Sequence, residues 1–223
     1  MSRTMSLFRT PGVFALAAAL LAWPALASAQ TVSGSAAAIQ ATVFGVTSVL
    51  GDTGALSDPQ DLREASAMSA AIPAVGGADV LHAATGSSVA DGAGDVSSES
   101  SLADAGLTIA GNFISAEFVM ARALAPVGGA PIGVSEIDGL AINGMPITVT
   151  GEPNQTVWLL GGRVILNEQI PTSTGTTVNA VHVIVGGVAD VVLATASAGV
   201  GSGGSSGTPL PLPLPPPPVP PLF

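Results

Sequence analysis

Three turn-forming dipeptides, each set between runs of branched apolar residues, constrain this chain more than any other feature. Asn143-Gly144 divides Leu140-Ala141-Ile142 from residues 145–150. An Asn-Gly pair supplies the two positive φ angles of a type I′ turn, so a tight hairpin is expected there. Gly161-Gly162 lies between residues 157–160 and 163–167, and Gly186-Gly187 between residues 177–185 and 190–198. Three successive hairpins imply an antiparallel meander.

Alternation of apolar with small or polar residues extends the β reading to residues 31–50 and 107–125, with Gly45 and Gly111 as bends or bulges. Residues 62–71 read differently. Arg63, Glu64, Met68 and several alanines are good helix formers, and a short helix or loop is expected. Residues 83–102, rich in Ser, Gly, Ala and Asp, read as a polar edge strand with loops or as a mobile excursion. Short strands without long intervening helices argue against a βαβ arrangement, and the lack of a constant period argues against a solenoid. The expected fold is all-β: an antiparallel sandwich or β-roll on a hairpin meander, with one short helix and a disordered proline-rich tail.

The ends of the sequence are of a different kind. Arg3 and Arg9 precede an apolar stretch over residues 13–26, and Ala27-Ser28-Ala29 follows, which is the three-part pattern of a secretory signal peptide over residues 1–29. That stretch is shorter than the roughly 20 residues that cross a bilayer, and Pro24 interrupts it. Residues 30–200 form the expected all-β domain, 201–208 a Gly/Ser linker, and 209–223 a proline-rich tail. Residues 209–221 as polyproline II would extend on the order of 40 Å, as a stalk or as a docking peptide for an aromatic-lined groove. The expectation is a secreted, extracytoplasmic protein at the cell surface, with no transmembrane segment in its mature chain.

Cleavage of the signal leaves Arg63, Arg122 and Arg163 against 15 acidic residues, a net charge of −12. Nucleic acid is excluded as a partner, because phosphate binding draws on clustered Lys and Arg and this chain has no lysine. Cysteine is absent, so an exported domain of this kind depends on its core rather than on disulfides.

The residues that could carry chemistry are few. His182 lies in an alternating apolar run and reads as a hydrogen-bonded structural histidine; His82, with Asp79 and the nearby serines, makes a triad on paper without a Gly-x-Ser-x-Gly elbow. Glu136 and Asp138 would share one strand face, Asp52, Asp58 and Asp61 share a polar loop, and Asp91 and Asp95 flank a glycine turn. None has the spacing of an EF-hand, although Ca²⁺ takes such oxygen ligands. Trp158 reads as core or hairpin packing rather than as a sugar platform. No catalytic, cofactor-binding or metal residue is assigned, no cofactor is expected, and the chain reads as a non-enzyme.

Residues 134–157, followed by 161–169, 178–185 and 189–199, resemble the choice-of-anchor P family of bacterial exported proteins. The resemblance implies a surface-directed domain whose members carry different carboxyl-terminal attachment devices. It implies no activity and no site residues. The function expected is structural or adhesive, the partner being an envelope or extracellular-matrix component met through the surface or the proline-rich tail. Two alternatives are a homopolymeric fibre subunit and a metal-dependent extracellular hydrolase.

Overall fold

A computed structural model describes residues 30–201, all of them strand, turn or loop. The expected signal peptide, the proline-rich tail and all but the first residue of the expected linker lie outside the described residues. The strands are β1 (Thr31–Val43), β2 (Val46–Asp52), β3 (Leu62–Ile72), β4 (Gly76–Ala90), β5 (Ala93–Ile109), β6 (Asn112–Pro126), β7 (Ile132–Asp138), β8 (Ala141–Ile142), β9 (Met145–Pro146), β10 (Gln155–Leu159), β11 (Gly162–Pro171), β12 (Gly175–Val185) and β13 (Ala189–Gly201). They form two antiparallel sheets, ordered β10-β11-β12-β13-β1-β2 and β3-β4-β5-β6-β8-β9, with β7 also on β6. The first and last long strands, β1 and β13, pair from Thr31↔Gly201 to Val43↔Ala189 in the middle of the first sheet. The two sheets stack as a sandwich, β1 over β4 and β5, and β13 over β5 and β6. The all-β antiparallel expectation holds.

Three local expectations are corrected. Residues 62–71 are strand, not helix. Leu62, Glu64, Ser66 and Met68 face solvent while Arg63, Ala65 and Ala67 are half-buried, and pairing with β4 from Leu62↔Gly86 to Ile72↔Gly76 overrides helix propensity. Residues 83–102 are neither edge nor excursion. They form the inner hairpin β4–β5, because Ala, Ser and Thr are small enough to let the sheets approach and their hydroxyls find partners inside. Gly45 and Gly111 are the second residues of two-residue turns, following Phe44 and Ala110, which also have positive φ.

The Asn143-Gly144 turn forms as expected, with φ of 51° and 77°, but its strands are two residues each. The next hairpin turns at Leu160-Gly161, so Gly162 enters β11 opposite Val185. There a Cβ would fall 2.1 Å from the Ile184 carbonyl oxygen, which only glycine avoids.

Every long strand of the first sheet exchanges its inward parity once. On β13 Val191 and Leu193 point inward, then Ala194 and Ala196; on β12 Val178 and Ala180, then Val181 and Val183. The exchange runs along one transverse row, Gly51, Ala38, Ala194, Ala180 and Asn167, skipped by the regular register. Alternate members of that row, Gly51, Ala194 and Asn167, have φ of 60°, 55° and 50°. Both strands of each pair skip one residue here, so the register is kept while the side chains change face.

Candidate functional site at the uncharged turn end

Chain direction sorts the turns into two groups. Phe44-Gly45, Pro73-Ala74-Val75, Ala110-Gly111, Asn143-Gly144, Leu160-Gly161 and Gly186-Gly187-Val188 all lie at one end of the sandwich. None contains a charged residue. At the other end lie Thr31, Gly201, the uncharged connections 127–131 and 172–174, the Asp91-Gly92 turn and the loop with Asp58 and Asp61. The described chain therefore enters and leaves at an acidic end, and an uncharged end points away from it.

The uncharged turns are joined to one another. Phe44 N–H donates to Val188 O at 2.9 Å, Thr108 N–H to Val75 O at 2.6 Å, and Asn112 Nδ2 to Leu160 O at 3.2 Å. These bonds tie loops of both sheets into one surface. Phe44, Val46, Met145, Trp158 and Leu160 expose apolar side chains on or beside it. Trp158 is 76% exposed, which corrects the core reading: Val157 and Leu159 pack inward, so the intervening Trp158 must face out.

The residues weighed as catalytic or metal-binding lie elsewhere, on open sheet faces and edge loops. His182 is on the outer face of the first sheet, its side chain 14% exposed. Its Nδ1 lies 2.8 Å from Glu168 Oε2 and its Nε2 3.0 Å from Asp190 Oδ1. Glu168 also accepts from Asn179 Nδ2 at 2.6 Å, and Thr195 Oγ1 donates to Asn179 Oδ1 at 2.6 Å. Both ring nitrogens are thus engaged in a cross-strand network, which is the structural role expected of this histidine. His82 sits on the outer face of the second sheet with Nδ1 3.7 Å from Glu64 Oε1, between the cross-strand neighbours Ser66 and Ser101. No hydrogen bond completes a triad there among the described residues.

Glu136 and Asp138 do share the outer face of β7, opposite Met120 and Phe118. In the loop after β2, Asp61 accepts from Ser57 N–H at 3.0 Å and Arg63 Nε at 2.9 Å, and Asp52 accepts from Gly54 N–H at 2.9 Å. The Ser57 amide, then the Arg63 guanidinium, hold the Asp61 carboxyl below the ordinary aspartate range. These carboxylates satisfy their own loop. Among the described residues no three His, Cys, Asp or Glu gather closely enough to hold a metal ion. A groove of about 480 Å³ crosses the second sheet over Ala84, Gly86 and Ser97, but Glu99 and Arg122 on its wall are paired with each other.

Compared with known proteins, the chain matches no family, no curated protein and no solved structure. No helix among the described residues is long and apolar enough to cross a membrane.

Proposed function

We propose that this chain is an exported, non-catalytic module of a cell surface or envelope, structural or adhesive, which acts by contact through its uncharged end while the proline-rich segment serves as stalk. One observation carries this reading: the two ends of the sandwich are opposite in character, and the described chain passes through the acidic one. A contact surface at the far end is free of the attachment point. The engagement of His182, Glu168, Asp190 and Asp61 with neighbouring side chains supports a scaffold role for the polar groups.

Fractionation of a producing cell tests the proposal. The full chain is expected with the envelope, and a chain ending at residue 208 in the medium. Equal release of both would sink the stalk reading, and retention of the full chain in the cytoplasm would sink export.

A homopolymeric fibre subunit is the second reading, favoured by the outer edge of β3, an 11-residue strand with no partner on its far side among the described residues. Arg63 and Glu64 on that strand work against strand addition, since charged edges discourage pairing.

A further inference from the structure

Among the described residues, Phe44 is the one aromatic residue on a left-handed backbone. It occupies the first turn position of the β1–β2 hairpin at φ 47°, a left-handed backbone that bulky side chains avoid. In three other hairpins the equivalent place holds Asp91, Asn143 and Ala110, each far smaller than phenylalanine. The Phe44 side chain is also 75% exposed, so hydration cost is added to backbone strain. Strain of this kind concentrates at functional positions.

Hollows flank the ring. One of about 300 Å³ is lined by Val43, Val75, Ile109, Ala110 and Val188. Another of about 280 Å³ is lined by Val46, Ile72 and Pro73. We propose that the uncharged end is a self-association surface on which a second copy of this chain seats, each Phe44 ring entering a hollow of the other across a two-fold axis. The proposal deepens the contact reading given above and rests on it.

The occupant follows from charge and shape. A mature chain of net charge −12 repels its own copies wherever carboxylates face one another; the six turns carry none, and Asp190, two residues beyond Val188, is held against His182 on the outer face of the first sheet. Ring and hollows lie side by side at one end of the same molecule, so a contact that places each ring in the other's hollow is self-complementary and closes as a pair. A cationic partner would be drawn to the acidic end instead. An anionic lipid surface would find no lysine or arginine in these turns.

Sedimentation equilibrium of the mature chain, residues 30–223, from micromolar to millimolar protein provides the test. A reversible dimer is expected. Phe44→Asn should weaken it by about tenfold or more, yet melt no lower than the parent at dilutions where both are monomeric. Val46→Glu, which sets a carboxylate on the rim of a hollow without touching the turn, should weaken it as well. A monomer at millimolar concentration, or equal dimerisation by both variants, overturns the proposal. So does a dimer lost on truncation after residue 208, which would give the surface to a neighbour's proline-rich segment. Phe44-dependent flotation of a monomer with phosphatidylcholine vesicles would give it to lipid and overturn the pair. Sedimentation and fractionation fail separately: a dimer released from the envelope sinks only the surface reading, and an envelope-bound monomer sinks only the pair.

Discussion

The hydroxyl of Ser100, fully shielded from solvent, crosses the interior to donate a hydrogen bond to the main-chain carbonyl of Thr195, 2.9 Å away on the opposite sheet. Two residues along, Ser98 does the same to Ser197 O at 2.6 Å and meets Thr85 Oγ1 at 2.6 Å. A carbonyl oxygen has two lone pairs, so one can serve the strand ladder while the other accepts across the core. These serines fix how β5 lies over β13.

Ser100→Ala should therefore lower stability by about 0.5–1.5 kcal/mol, the net worth of one hydrogen bond, since the Thr195 carbonyl keeps its second lone pair for the ladder. Ser66→Ala, on the exposed outer face of β3, should change stability by less than about 0.5 kcal/mol. Urea midpoints of the two variants check this. Equal midpoints would mean that the cross-sheet bond contributes nothing net.

The parity exchange in the first sheet gives a prediction about two alanines that look alike. Ala38 and Ala194 are both completely buried and face each other across β1 and β13, but only Ala194 has left-handed φ. Ala38→Gly loses a buried methyl, about 0.8 kcal/mol, and adds glycine's backbone entropy, about 0.5–1 kcal/mol. At Ala194 the same losses are offset by relief of a left-handed alanine, about 1–2 kcal/mol. Ala38→Gly should destabilise clearly while Ala194→Gly stays within about 1 kcal/mol of the parent. Comparable losses in both would refute strain at Ala194.

The hairpins from residue 139 onward were legible because Gly144, Gly161 and Gly187 supply positive φ whatever lies around them, although the second hairpin turns at Leu160-Gly161 and not at Gly161-Gly162. The inner hairpin β4–β5 was not. Its serines look like loop in sequence, and only the opposite sheet reveals that Ser98 and Ser100 are core residues with partners. Residues 62–71 misled for a related reason: helix propensity is local, whereas β4 supplies the pairing that decides the matter. The parity exchange doubles an inward position on each affected strand, as at Leu193-Ala194, and so blurs the period-two signal. The uncharged end left only a partial trace, in turns free of Asp, Glu and Arg. Grouping them requires strand directions.

His182 bridges Glu168 and Asp190, and Glu168 is itself mostly shielded, its side chain 15% exposed. His182→Ala removes the ring that lies within hydrogen-bonding distance of both carboxylates and leaves Glu168 with Asn179 alone. A loss of about 1.5–3 kcal/mol is expected, as for hydrogen bonds to charged groups. His82→Ala, whose partner Glu64 lies 3.7 Å away and is largely exposed, should cost less than about 1 kcal/mol. Chemical denaturation of the two variants separates them, and the reverse order would contradict the network.

Asp61 gives the body an acid sensitivity whose sign is fixed by its contacts. Its carboxyl is held below the ordinary aspartate range by the Ser57 amide and the Arg63 guanidinium, both of which favour the charged form. A group with depressed folded-state pKa binds fewer protons folded than unfolded. Its contribution is complete above the unfolded aspartate value, shrinks as pH falls, and vanishes below the folded value. The melting-temperature gap between the parent and Asp61→Asn should therefore be constant through neutral pH and close only in acid. Loop opening at residues 53–61 should follow the same course, read by hydrogen exchange at Leu56, whose N–H bonds Gly34 O at 2.8 Å. A gap that widened on acidification would reverse the sign and show that Asp61 is held in its neutral form.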